Sequence, residues 1–400
     1  MINAAKILLT PFNANVEPKH TDHDMKWHAF CFYGIWRSPA QGKDPGWDHD
    51  LKERQIVMRI VIAIISIAVI FAIIRTVILN AFASMYRKNF GTRMAEPTGF
   101  LEFFLSRNPG IDHEEFSCEA SSGDTINGLK FKPEGEPKGL IVFTHGYNRN
   151  IENYLKEAEL FADAGFMVIF FDGVGVGRST GKSFKGLPQH ILDMEDVLTF
   201  IEKDRYLSSL PLLLFGHSWG GYAMNCAECF RDHGQKAMIS VAAFNDVTDT
   251  LRPFAEARYG PWAPIPLYLT KAFSKKTFGR AASFTSIKGL SKVTCPVLVC
   301  QSRDDRLISF DRNFTKIKEK YEGRENFTFR EFDGRDHDML TPPENDRRQL
   351  AILKQLRKEK IAVTREEYDR NPLVQELWEL QGETDEELIK EFIDFYNSAL

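Results

Sequence analysis

A serine hydroxyl attacks a carbonyl only when a neighbouring base takes its proton and an acid orients that base. Ser218 sits in Gly216-His217-Ser218-Trp219-Gly220, which fits the G-x-S-x-G turn that lifts a serine from the end of a strand into an exposed, strained position. The flanking glycines have a steric reason, since side chains there would collide as the backbone doubles back. Leu212–Phe215 before the turn is an apolar run of strand length, and Tyr222–Cys229 after it suits a helix.

Only two histidines, His233 and His337, follow the serine, the chain order in which this turn finds its base. His233 falls fifteen residues down the predicted helix, about 22 Å away at the helical rise. That leaves His337, in Gly334-Arg335-Asp336-His337 after the last predicted strand. Asp304 and Asp305 both follow a strand's C-terminal end, where a parallel sheet gathers its functional loops, and spacing does not choose between them. Asp336 and Asp338 flank the histidine and read as solvated charge. An oxyanion needs two preorganised N–H groups. The residue after the nucleophile, Trp219, supplies one, and Tyr147, following His145-Gly146, supplies the other. His145 and His217 read as structural.

The elements that must hold these residues alternate along the chain. Gly139–Thr144, Phe166–Phe171, Ala237–Phe244, Pro296–Cys300 and Phe327–Phe332 are short apolar strands, separated by helical patterns such as Ile151–Ala164 and Ile191–Lys203. This rhythm predicts an α/β fold with a mostly parallel sheet covered on both faces. Glu115–Ala120 and Ile126–Lys132 form a hairpin around Ser121–Thr125. The glycines of Asp172–Ser179 miss the G-x-G-x-x-G register, so a dinucleotide site is not supported. Asp246–Lys288, rich in proline and aromatics, breaks the rhythm and predicts an apolar, irregular lid over a pocket. A helix over Glu383–Tyr396 lies beyond what the fold needs.

Composition sets the outer bounds. The 400 residues carry 51 basic and 55 acidic side chains, a net charge of −4, and 43% are hydrophobic, ample for a full core and no basis for nucleic-acid binding. Six scattered cysteines form no framework, and Cys226-x-x-Cys229 lacks the second pair a zinc site needs. Residues 1–55, with His20, His23, His28, His49, Trp27, Trp36 and Trp47, match no ligand pattern and read as an extension.

Residues 56–79 hold only Arg59 and Arg75 as charges and are apolar all round, which predicts a single-pass membrane helix. It lies too far along the chain for a cleaved signal peptide. Four Lys or Arg on each side give the positive-inside rule no preference for orientation.

These motifs, in this order, resemble the α/β-hydrolase superfamily, from near Asp112 to Ile361, and within it the monoacylglycerol lipase and lysophospholipase branch of serine hydrolases. In that branch's acid loop, Gln301–Leu307 by resemblance, the acid falls on Asp305. Ser302 stands where the branch has glycine, and Trp219 is similar to the residue after the nucleophile in proline iminopeptidases. A connector at 80–111, a lid at 246–288 and a C-terminal extension at 362–400 are expected around an α/β-hydrolase domain over 112–361, the span of the resemblance. The resemblance implies a catalytic Ser218–His337–Asp305 triad acting on an ester or lipid substrate, with no metal or organic cofactor. A thioesterase, an acyltransferase or an amidase would use the same machinery, and a binding scaffold would keep the fold without the reaction.

Overall fold

The structure, a computed structural model, describes residues 45–400. The expectations for His20, His23, His28, Trp27, Trp36 and Cys31 lie outside the described residues, as do the side chains of Trp47 and His49. The chain divides into two units, at Phe71 and Ala72. Helix α1, Pro45–Phe90, starts inside the expected extension and runs far past the expected end at residue 79. Its segment Asp50–Tyr86 is long and apolar enough to cross a membrane, with none of its most apolar window buried.

In the second unit, eight strands form one sheet in the order β1-β2-β4-β3-β5-β6-β7-β8. β1 (Asp112–Glu119) and β2 (Thr125–Lys132) make the expected hairpin. β2 also runs antiparallel to β4 (Met167–Phe171), and from β4 onward every pairing is parallel. β3 (Leu140–Thr144), β6 (Ala237–Val241) and β7 (Val297–Ser302) are buried at every residue, as is β5 (Leu212–His217) but for its first. Such unbroken apolar runs follow from helices covering both faces, which leave no solvent side for alternation to mark. β8 (Phe327–Phe332), at the edge, is only partly buried.

The chain leaves β3 toward β4 on one side and reaches β5 on the other. A parallel sheet opens a crevice at such a reversal of strand order, beyond the carboxyl ends of the two strands. Thr144 pairs with Gly216 there, and His217 with Val241. The loops carrying Tyr147 and Ser218 therefore start side by side.

One sheet face is covered by α4 (Gln189–Lys203), α5 (Trp219–Ala227) and α9 (Lys316–Tyr321). The opposite face revises the expected domain limits. Helix α2 (Phe100–Arg107) buries Phe100, Leu101, Phe103 and Phe104 in the same core as the sheet, so the domain extends upstream of 112. Glu152 holds that helix in place, accepting from the Thr98, Gly99 and Leu101 N–H groups and from the Thr98 hydroxyl. Past residue 361, α12 (Pro372–Gln381) and α13 (Glu386–Ala399) add Trp378, Leu388, Ile389, Phe392 and Tyr396 to that core. The Tyr396 hydroxyl donates to the carbonyl of Leu214 in β5 at 2.7 Å. The C-terminal segment, expected as an extension, thus packs into the same core as the sheet.

Asp246–Lys288 is helical rather than irregular, with α6 (Val247–Tyr259), α7 (Pro264–Phe278) and α8 (Ser286–Leu290). Pro253 lies inside α6, whereas Pro264 suits the start of a helix. Pro264 stands at the first position of α7, where a missing N–H costs no hydrogen bond, and Asp246 caps α6 through the Thr248 and Asp249 N–H groups.

Candidate active site

Ser218 occupies the one-residue turn between β5 and α5, with φ 55° and ψ −114°. That conformation is costly for a residue with a side chain and persists only where its surroundings enforce it. Here they do: the Ser218 N–H donates to Val241 O at 2.7 Å, and its carbonyl accepts from Tyr222 N at 3.0 Å. The glycine spacing is equally constrained. A Cβ on Gly220 would lie 2.1 Å from the Thr144 carbonyl oxygen, and one on Gly216 would lie 2.7 Å from the Gly221 backbone.

The structure brings together three side chains that sequence placed far apart. His337 Nε2 lies 2.7 Å from Ser218 Oγ, and His337 Nδ1 lies 2.8 Å from Asp305 Oδ2. Asp305 accepts at both oxygens, Oδ1 from the Leu307 and Ile308 N–H groups and Oδ2 from Gln301 Nε2. An acceptor so placed requires the proton on His337 Nδ1, which leaves Nε2 as an acceptor for the serine hydroxyl. Asp304 points elsewhere and accepts from Gly334 N, so of the two carboxylates it is Asp305 that meets His337. Gln301 was not singled out by sequence; no motif marks a glutamine that braces an acid.

The histidine's loop is tied down at both ends. Ser302, in place of glycine, donates its hydroxyl to the Arg335 carbonyl. Asp336 and Asp338, expected as solvated charge, are both paired, Asp336 with Arg306 and Asp338 with Arg149. Burial disfavours the Asp338 anion, yet the Arg149 charge and its hydrogen bond hold the carboxyl below the usual carboxylate range.

Trp219 follows Ser218 directly, as the first residue of α5. The Tyr147 loop approaches closely: a Cβ on Gly146 would stand 3.5 Å from Ser218 Cβ. The Trp219 indole is fully buried, donates to Leu187 O at 2.7 Å and stacks on His190 with centroids 4.3 Å apart. Burial, with His190 beside it, holds His145 well below the ordinary imidazole value. As a neutral ring, His145 accepts from Gly173 N at Nε2 and donates from Nδ1 to Gly146 O. The glycine loop after β4 is pinned by Arg93, which donates to the carbonyls of Gly177, Ser179 and Gly181.

His233 lies away from the site, past the end of α5, against Glu195 at 3.2 Å. A cavity of about 310 Å³ lies between α6, α7 and the segment before α8, lined by Asp246, Leu251, Leu267, Lys271 and Phe284 among others. None of Ser218, His337 and Asp305 lines it.

A serine, an imidazole and a carboxylate in this order at the sheet's switch point can pass one proton and one acyl group. Residues 135–277 match the family model for Hydrolase_4, serine aminopeptidase S33. A segment of 91 residues is 33% identical to a monoacylglycerol lipase of Mycolicibacterium smegmatis, covering 22% of this chain and 32% of that protein. Over 180 residues the chain is 26% identical to a lysophosphatidylserine lipase of Danio rerio, covering 43% and 44%. Among solved structures, an esterase of Pyrococcus furiosus aligns at 14% identity and a TM-score of 0.45, covering 62% of this chain and 90% of that one. The matches thus span a third to under half the length of these two curated relatives. Topology and elbow together give the chain an α/β-hydrolase fold, and its sequence is similar to the monoacylglycerol lipases over part of their length.

Proposed function

We propose that the chain is a membrane-anchored serine hydrolase cleaving a carboxylic ester, with the acyl ester of a monoacylglycerol or lysophospholipid as substrate. One observation carries this reading: the unbroken hydrogen-bonded line from Asp305 through His337 to Ser218. Ser218 attacks the ester carbonyl as His337 takes its proton, and the N–H groups of Trp219 and Tyr147 hold the oxyanion. His337 returns the proton to the leaving alcohol. Water, deprotonated in turn by His337, then releases the acyl group from Ser218. The similarity to lipases supports a lipid substrate, as do the α6–α7 segment read as a lid and α1 read as a single-pass anchor.

A fluorophosphonate probe tests the nucleophile. Labelling is expected for the wild-type chain and absent for Ser218→Ala; a labelled Ser218→Ala protein would remove the assignment. The family model's description as a serine aminopeptidase favours an amidase as the second reading. Hydrolysis rates for long-chain monoacylglycerol, lysophospholipid, a short-chain thioester and a prolyl amide separate the two, and preference for the amide would overturn the esterase reading.

A further inference from the structure

The α6–α7 surface does not look like an ordinary solvated face. Trp262 and Tyr268 are each 71% exposed, and Phe254 and Ile265 lie open beside them. Ile265, Tyr268 and Ala272 recur at helical spacing on α7, which buries Leu267, Ser274 and Phe278 instead. The charge around them is one-sided. Residues 257–292 contain seven Lys or Arg and no Asp or Glu, in a chain whose overall charge is −4. Lys271, Lys275 and Lys276 are exposed, and none is paired with a carboxylate among the described residues. Large aromatics beside unpaired cations suit the boundary between headgroups and acyl chains, where a ring sits half in hydrocarbon and a lysine meets lipid phosphate.

The surface is also continuous with the end of the apolar helix. Tyr86 and Phe82 of α1 pack on Phe273 of α7, with ring centroids 4.2 and 6.4 Å apart, and the Tyr259 hydroxyl of α6 lies 3.2 Å from Met85 Sδ. Val77, Ile78 and Leu79, two turns earlier on α1, are exposed. Where those residues enter hydrocarbon, α6 and α7 stand at the bilayer surface.

We infer that the α6–α7 face, through Trp262, Ile265, Tyr268 and the lysines of α7, docks on the anionic phospholipid surface of the bilayer in which α1 is anchored. The inference rests on the anchor reading of α1 and is independent of the reaction. It gives the hydrolase a fixed posture, with α6 and α7 against the lipid from which an acyl substrate would come.

The test uses the full chain reconstituted in vesicles of phosphatidylcholine, with or without phosphatidylglycerol, carrying brominated acyl chains that quench nearby tryptophan. The difference between wild type and Trp262→Phe isolates the Trp262 signal. Trp262 is expected to be quenched, more strongly with phosphatidylglycerol. Lys271→Glu/Lys275→Glu/Lys276→Glu is expected to lower the docked-to-undocked ratio by at least about tenfold, since each cation near such a surface contributes roughly fivefold. Equal quenching of wild type and Trp262→Phe in both lipids would overturn the inference, as would quenching indifferent to phosphatidylglycerol and to the lysines. Carbonate extraction and fluorophosphonate labelling of the same samples show separately whether the anchor or the hydrolase reading has failed.

Discussion

His217 Nε2 lies 3.3 Å from the carbonyl oxygen of His337, so the residue preceding Ser218 holds the loop of His337. The tautomer follows from the partners. The Gly146 N–H donates to the Tyr154 hydroxyl at 2.9 Å, so the phenol proton is free to go to His217 Nδ1 at 3.0 Å. His217 Nε2 then carries the ring's hydrogen and donates to His337. Burial pushes His217 down to about 4, keeping the ring neutral as this relay requires. The Tyr147 loop and the His337 loop are thereby locked to one strand end.

If that relay sets the position of the base, His217→Ala should fold and lower kcat/KM by about 10²-fold, the usual consequence of a shift near 1 Å in a reacting group. Tyr154→Phe strands the buried Gly146 N–H and should act in the same direction. Steady-state rates and the speed of fluorophosphonate labelling would show it. Wild-type labelling by His217→Ala would mean the contact is incidental.

Asp305→Asn replaces an acceptor-only group by an amide whose NH₂ can face His337 Nδ1. The imidazole would then carry its hydrogen on Nε2, toward the serine, and could not act as base. A fall in kcat on the order of 10⁴ is expected with the protein intact, as in other triads altered this way. Asp304→Asn, which only alters the contact to Gly334 N, should stay within about tenfold of wild type. Comparable losses in both variants would return the acid to the undecided pair that spacing alone leaves.

How much of this could be read from the chain depends on the range of each interaction. The turn at Ser218 was legible because it demands glycine at fixed, local offsets, and the approach of His337 to it because chain order and reach left no other histidine. The Asp304–Asp305 choice needed either a family resemblance or the direction of two adjacent side chains. Gln301, Tyr154 and the paired roles of Asp336 and Asp338 were hidden, since each depends on a partner brought near by the fold. The packing of the C-terminal helices was hidden for a related reason: an amphipathic helix shows that it has an apolar face, but not which sheet waits for it.

The packing of α13 on the sheet yields a stability prediction. Phe392 is fully buried in the core cluster that α13 shares with β5, where its ring lies 5.7 Å from that of Phe215. Phe392→Ala should cost about 3–5 kcal/mol, the range for removing a buried aromatic ring. Denaturant unfolding of the chain in detergent would measure it. A cost below about 1 kcal/mol would mean α13 merely rests on the domain.

His233 supplies the dependence on pH. Its ring is enclosed by Glu195 and Glu202 of α4, with Glu228 and Arg231 close by. Burial opposes a charge on this ring, but the Glu195 contact and the Glu228 and Glu195 charges outweigh it and raise His233 above the ordinary imidazole value. Neither ring nitrogen makes a well-angled hydrogen bond, although Glu195 lies 3.2 Å from Nε2. A histidine raised in the folded state binds its proton more tightly there than in the unfolded chain. The stabilisation is therefore complete below about 6.5, the unfolded value, and disappears as pH rises through the folded value. His233→Gln should be less stable than wild type in that acidic range and close to it in mild alkali. Unfolding midpoints on both sides of the transition would check this, and a difference that grows with pH would show that the ring is held neutral.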